Sequence, residues 1–154
     1  STFKYIRETS GLKTYRSSVY GFEFSYLSDH TAYTSTDQKN EKLIPAGPNS
    51  EYVAIAETEA HVFCCEPLTF SVLVVKDKIS PAEWLKNNTN SYDVRTNTSI
   101  NFAGGSALQS IGRAGIDSEY KIVIISKPTF LLVLRQNAQT EFLDQIISTF
   151  KFIK

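Results

Sequence analysis

Apolar and polar side chains alternate strictly between Phe22 and Tyr26. This period of two places the aromatic residues on one face of an extended chain, with Glu23 and Ser25 on the other. Such a pattern predicts a β-strand with one buried face. Gly21 comes directly before this strand, and glycine permits a turn or bulge at its entry.

Further strands are predicted from short apolar or β-branched runs that end at turn residues. They are 52–56, 61–65, 69–75, 99–102, 107–111, 120–125 and 129–134. The segment 28–37 can hold another strand, and 37–50, rich in Asn, Pro and Gly, is the clearest loop. The last four strands follow one another through short turns such as Gly104-Gly105, which predicts an antiparallel meander.

Two helices are predicted. The segment 80–83 is typical of a helix start, because it combines a capping serine, a proline at the first helical position and a glutamate that completes the capping box. A second helix, over about 139–149, places Phe142, Ile146 and Phe150 on one apolar stripe at spacings of four. Strands, a helix, more strands and a final helix predict the α+β class, with a central antiparallel sheet flanked by helices as an α/β/α sandwich.

The chain of 154 residues is long enough for one hydrophobic core and needs no second domain. We expect a flexible lead-in over 1–13, where no period is sustained, and a single domain over 14–154. The 16 Lys and Arg residues balance the 16 Asp and Glu residues, so no long-range attraction for nucleic acid is expected. No apolar run reaches the roughly 18 residues of a transmembrane segment.

One cluster of metal-ligand residue types occurs, with two further acids just before it. It comprises His61, Cys64, Cys65 and Glu66, preceded by Glu57 and Glu59. In a strand over 61–65, His61 and Cys65 share a face and Cys64 points the other way, which opposes coordination by both cysteines. The spacing matches neither a zinc site nor a calcium loop, and two small buried residues are the simpler interpretation of the cysteines. We predict no cofactor, with a divalent metal at this cluster as the alternative.

The sequence contains no constellation that is typical of a catalytic site. Asp29-His30 lies in a predicted turn, where a solvated pair is the simpler interpretation, and no nucleophile is tied to it. The glycine-rich turns lack the lysine of a nucleotide loop, and no Gly-x-Ser-x-Gly elbow occurs. We therefore expect that the protein is not an enzyme. Aromatic side chains outside the core are the candidates for a binding surface, namely Tyr33, Tyr52, Tyr92 and Tyr120.

Three segments resemble the PsbP-like family, in order and with suitable spacing. They are YGFEFSY at 20–26, INFAGG at 100–105 and FLDQIISTFKF at 142–152. The resemblance covers about Tyr15 to Phe152. The family includes extrinsic subunits of photosystem II, many small bacterial secreted or lipid-anchored proteins, and a structurally related Ran-binding protein of yeast.

This resemblance implies a non-enzymatic extracytoplasmic binding or accessory protein, with a protein partner that the sequence does not identify. Because the chain begins at Ser1 and contains no methionine, we expect a mature or trimmed product whose leader has been removed. The resemblance implies a secreted or membrane-anchored bacterial protein. Two alternatives stay open. One is a small metal- or thiol-dependent protein that uses His61, Cys64, Cys65 and Glu66, and the other is an intracellular adaptor that resembles the Ran-binding relative.

Overall fold

The secondary structure is dominated by antiparallel strands. The computed structural model describes residues 11–28, 30–35, 50–57, 68–88, 94–113, 119–137 and 146–153. The strands are β1 Leu12–Ser17, β2 Phe22–Leu27, β3 His30–Thr34, β4 Ser50–Glu57, β5 Leu68–Val75, β6 Val94–Phe102, β7 Gly105–Arg113, β8 Glu119–Ser126, β9 Leu131–Asn137 and β10 Lys151–Phe152. Helix α1 is Pro81–Asn87, and residues 146–149 form a helical turn.

The larger sheet contains seven strands in the order β3-β4-β5-β9-β8-β7-β6. Each neighbouring pair is antiparallel. The strands β6 to β9 lie side by side in chain order, which confirms the predicted meander. Among the described strands, β3 and β6 lie at the two edges of this sheet.

The smaller sheet has three strands in the order β1-β2-β10. In β2 the predicted alternation is confirmed, since Phe22, Phe24 and Tyr26 are buried and the residues between them are partly exposed. Burial of Tyr26 raises the pKa of its hydroxyl. On the outer face, the carboxylate of Glu23 lies 3.0 Å from Lys151 and 3.8 Å from Arg16.

The main core lies between the two sheets and is built on aromatic rings. The rings of Phe22 and Phe150 are nearly parallel, with centroids 5.4 Å apart, and the centroids of Phe24 and Phe150 are 6.2 Å apart. Phe70 of the larger sheet meets Phe24 edge-on at 5.3 Å. Ile146 of the helical turn is buried in the same cluster. The opening strand and the closing segment therefore share one core.

Helix α1 packs on the opposite face of the larger sheet. Its start is as predicted, because the Ser80 hydroxyl accepts a hydrogen bond of 3.1 Å from the backbone N–H of Glu83, with Pro81 in the first turn. Leu85 is buried against the sheet, and Trp84 packs beside it. Within the described residues, no helix is long and apolar enough to cross a membrane.

The predicted antiparallel sheet is confirmed, whereas the sandwich with helices on both faces is not. Helix α1 lies on one face, but on the other face a second sheet covers the core together with the helical turn 146–149. The second sheet forms because β2 pairs with β1 and β10, which come from opposite ends of the chain. Most of the second predicted helix, residues 139–145, lies outside the described residues. β1 begins at Leu12, two residues before the predicted start of the domain, and residues 1–10 of the predicted lead-in lie outside the described ranges.

The turn between β6 and β7 differs by one residue from the prediction. Ala103 and Gly104 are its central residues, with φ of 50° and 82°, and Gly105 already pairs with Phe102. Two successive positive φ values define a type I′ turn, which suits the right-handed twist of a hairpin. Alanine is an unfavourable residue for the first of these positions because its Cβ crowds the backbone.

We expect Ala103→Asn to raise the free energy of unfolding by about 1 kcal/mol, since asparagine tolerates the left-handed conformation and Asn-Gly is favoured in this turn. Urea unfolding of the variant measures the change. Ser99→Asn, at an exposed position of β6, is the control and should leave stability unchanged or slightly lower. An equal gain in both variants would contradict the strain assigned to Ala103.

Candidate functional site

A cavity of about 180 Å³ lies between the two sheets, at the end where β1 turns into β2. We refer to it as the inter-sheet cavity. Most of its described lining is apolar or aromatic, with several hydroxyl groups and one carboxylate. The lining residues are Tyr15, Ser17, Val19, Tyr20, Phe22, Thr34, Ser35, Glu51, Tyr52, Val53, Val72 and Val74.

The cavity exists because small side chains meet where the aromatic stack ends. Phe22 is the last ring of the stack on this side, and it contacts Tyr15 at a centroid distance of 6.2 Å. Across from them, β4 and β5 contribute Val53, Val72 and Val74, all of which are buried. Valine is too short to fill the space that phenylalanine occupies elsewhere between the sheets, so a gap remains.

The turn 18–21 forms the mouth of the cavity. The hydroxyl of Ser17 accepts a hydrogen bond of 3.2 Å from the N–H of Tyr20, and the carbonyl of Ser17 accepts one of 2.9 Å from Gly21. Gly21 has φ of 70°, which the turn requires and which other residues adopt at a cost. Val19 at the tip is 82% exposed. The turn therefore holds Tyr20 at the rim and presents Val19 to solvent.

Tyr20 and Glu51 form the polar part of the rim together with Lys76, and we refer to these three residues as the Glu51 rim. The Tyr20 hydroxyl donates a hydrogen bond to Oε2 of Glu51. The Lys76 ammonium lies 3.2 Å from the same oxygen and 5.9 Å from the centre of the Tyr20 ring. The Glu51 and Lys76 side chains are 41% and 49% exposed, and ion pairs of this kind contribute about 0–1 kcal/mol.

Edge strand β3 closes the opposite side of the cavity through backbone contacts. The N–H of Ser35 donates to the carbonyl of Tyr52 at 3.0 Å, and the Ser35 hydroxyl accepts from the Tyr52 N–H at 3.3 Å. Thr34 pairs with Val53 across the strands. These bonds extend the register of β3 and β4 past the end of β3, so the cavity wall is held by the sheet on this side.

The structure separates the tyrosines that were predicted as a binding surface. Tyr52 and Tyr120 are each 6% exposed, so the prediction that they are exposed is wrong. Both belong to interior strands of the larger sheet, and the Arg135 guanidinium lies 5.0 Å from the centre of the Tyr120 ring. Tyr33, on edge strand β3, is half-buried. Tyr92 lies outside the described residues, and binding by any of the four stays a prediction.

The predicted metal cluster falls outside the described part of the chain. His61, Cys64, Cys65, Glu59 and Glu66 are all in the segment 58–67, which the structure does not describe. The sixth candidate, Glu57, ends β4, and only its backbone is described. Among the described residues, no group of three or more His, Cys, Asp or Glu side chains is placed to hold a metal ion. The metal- or thiol-dependent alternative stays a prediction.

His30 is one residue for which the predicted environment is wrong. It begins β3 rather than lying in a solvated turn, and it is 7% exposed. Its backbone carbonyl accepts a hydrogen bond of 3.2 Å from the Lys13 ammonium, which joins the smaller sheet to the larger one. The cause is strand pairing, because His30 lies opposite Glu57 in the register of β3 and β4.

Sequence reasoning missed the Glu51 rim. Tyr20 was visible as part of the aromatic segment, but its hydroxyl partner is 31 residues away. Glu51 is a single acid at the end of the predicted loop 37–50, and no spacing relates it to Lys76. The only available signal was that both residues border predicted strands, and this holds for many charged residues.

Of three comparisons with known proteins, only the one with solved structures found matches. No protein-family model matches the chain, and no curated protein matches it. One match is the crystal structure of a protein from Bacteroides thetaiotaomicron VPI-5482, with 12% sequence identity to this chain and a TM-score of 0.52. The match covers 92% of this chain and 48% of that protein. The present chain therefore spans about half the length of that protein.

Two further solved structures are similar to this chain. LpqN, involved in cell envelope biogenesis of Mycobacterium tuberculosis, is 16% identical to this chain, with a TM-score of 0.39. The match covers 97% of this chain and 95% of LpqN. The solution structure of cyanobacterial PsbP (CyanoP) from Synechocystis sp. PCC 6803 has 12% identity, covers 92% of both chains and has a TM-score of 0.58. This match along nearly the whole of both chains shows that the protein has a PsbP-like fold.

Proposed function

We propose that the protein is a non-enzymatic binding or accessory protein that acts outside the cytoplasm and contacts a protein partner. The observation that carries the proposal is the inter-sheet cavity, which is an opening of about 180 Å³ beside a core that is otherwise filled by stacked rings. Concave sites with apolar walls and a few placed polar groups are the usual form of a small-molecule site, and the exposed turn at the mouth of this one offers a surface to a protein partner. The PsbP-like fold supports the accessory class, since cyanobacterial PsbP has the same architecture.

The mouth of the cavity is where we place the partner. Val19 at the tip of the turn exposes an apolar side chain, and Tyr20 beside it is half-buried against Phe130, with ring centroids 5.2 Å apart. A rigid aromatic ring next to an exposed apolar residue offers contact area at low entropic cost. One exposed valine is common on any surface, so the cavity beside it is what distinguishes this tip.

Site-specific cross-linking in the source cells tests this function. A photoreactive amino acid replaces Val19 in one variant and Ser99 in another, and Ser99 is exposed on β6 at the far edge of the larger sheet. We expect one defined protein adduct from position 19 and none from position 99. Fractionation of the same cells should place the protein outside the cytoplasm.

Equal adducts from both positions, or none from either, would contradict a partner site at this turn. Recovery in the cytoplasmic fraction would contradict the location and favour the adaptor alternative. Stoichiometric metal in the purified protein, together with loss of function on its removal, would favour the metal-dependent alternative.

A further inference from the structure

We propose that the inter-sheet cavity binds a small ligand that carries a protonated amine on an apolar or aromatic body. This goes beyond the protein partner proposed above, and it concerns the interior of the cavity instead of its outer tip. The inference follows from three features of the cavity: its size and walls, the position of its carboxylate, and the lysine that already lies at the rim.

The size and walls of the cavity suit an apolar body of one ring. An engineered apolar cavity of about 150 Å³ takes up benzene, so the 180 Å³ here accommodate a ring with a short substituent. The walls are Val53, Val72 and Val74 on one side, with Phe22 and Tyr15 on the other. These side chains offer carbon surface, which stabilises a bound ligand through the loss of water from apolar area.

The charge of the cavity lining favours a positively charged head group on the ligand. Glu51 is the one charged residue among the described residues of the lining, and its charge is negative. Its two described contacts, with Tyr20 and Lys76, both fall on Oε2. A carboxylate offers about four acceptor positions on its two oxygens, so Glu51 retains capacity for a further N–H donor.

Lys76 shows that an ammonium group fits at this rim. Its Nζ lies 3.2 Å from the Glu51 carboxylate and 5.9 Å from the centre of the Tyr20 ring, the two kinds of partner that recognise ammonium groups. The lysine reaches the rim from outside the cavity, since it follows β5 and does not line the walls. It is half exposed and held by a weak ion pair, so a ligand ammonium can replace it. Lys76 is thus an internal competitor of the ligand.

Nuclear magnetic resonance titrations with three probes of similar size test the inference. Benzylamine is positively charged at neutral pH, benzyl alcohol is neutral and benzoate is negatively charged. We expect saturable shifts of the backbone amides of Val53, Val72 and Val74 with benzylamine, weaker ones with benzyl alcohol and none with benzoate. Benzoate binding as tightly as benzylamine, or no saturable binding of benzylamine, would overturn the proposal.

Two variants at the rim should act in opposite directions. Glu51→Gln removes the negative charge and should lower the affinity for benzylamine by about two- to fivefold, the worth of a half-exposed ion pair. Lys76→Gln removes the competitor and should raise the affinity severalfold, a gain that a misfolded protein does not produce. Glu23→Gln is the matched control, because Glu23 is also paired with a lysine, at 3.0 Å, but on the outer face of the smaller sheet. It should leave benzylamine affinity unchanged.

An effect of Glu23→Gln equal to that of Glu51→Gln would show that net charge decides the binding and would overturn the site. A loss of affinity in Lys76→Gln would overturn the role of Lys76 as competitor. The cross-linking of Val19 is read in cells and independently of these titrations. Its failure therefore concerns the protein partner, whereas failure of benzylamine binding concerns the cavity.

Discussion

Phe24→Ala is expected to lower the free energy of unfolding by about 3–5 kcal/mol, because it removes a fully buried aromatic ring. Phe24 is 1% exposed and has ring contacts with both sheets and with Phe150 of the closing segment. The cavity left by the ring cannot collapse easily, since rigid β-strands surround it. As domains of this size are typically stable by about 5–15 kcal/mol, this loss is a large part of the total. Urea or thermal unfolding, followed by circular dichroism, measures it.

Phe24→Leu is the control for the aromatic core. Leucine keeps most of the apolar volume, so the expected loss is smaller, about 1–2 kcal/mol. If both variants lost the same small amount, the stack of Phe22, Phe24 and Phe150 would not be the main contribution to the core. A loss in Phe24→Ala below about 1 kcal/mol would contradict the packing described for this ring.

Gly21→Ala is expected to lower the free energy of unfolding by roughly 2–3 kcal/mol, and both causes involve the added Cβ atom. The φ of 70° is unfavourable for a residue with a Cβ. In addition, a Cβ at this position would lie 3.1 Å from the carbonyl oxygen of Ile153. The N–H of Ile153 donates a hydrogen bond of 2.9 Å to the Gly21 carbonyl, so the contact cannot relax without moving the end of β10. Chemical denaturation measures the loss of stability.

Gly104→Ala separates the two causes. Gly104 also has positive φ, at 82°, but a Cβ there would meet no atom within 4 Å. We expect it to cost only the backbone strain, about 1 kcal/mol. Equal losses at the two glycines would show that the contact with Ile153 has no energetic weight. Hydrogen exchange at the Ile153 amide gives a second readout, because only Gly21→Ala should accelerate it.

The Gly21 variant also bears on the proposed binding site. Gly21 ends the turn that places Tyr20 at the rim, through the hydrogen bonds of that turn with Ser17. A change in this turn is therefore expected to weaken benzylamine binding as well as stability, whereas Gly104→Ala, in a hairpin turn that does not line the cavity, should leave binding intact.

Several local elements were predictable because short-range physics decides them. The alternation in β2 was visible because a half-buried strand must place apolar side chains on every second position. The start of α1 was visible because Ser80, Pro81 and Glu83 each satisfy a requirement of the first helical turn. The meander of β6 to β9 was visible because short turns join neighbouring antiparallel strands. The aromatic segments at the two ends of the domain also indicated the PsbP-like fold.

The sequence by itself determined these elements and the balance of charge, since each depends on residues close together in the chain or on composition. The tertiary structure alone decided that β10 joins β2, that a second sheet covers the core, and that Tyr52 and Tyr120 are buried in interior strands. It also brought Tyr20, Glu51 and Lys76 together. Contacts between distant segments depend on strand order and register, and no local pattern encodes which single tyrosine, acid and lysine will meet.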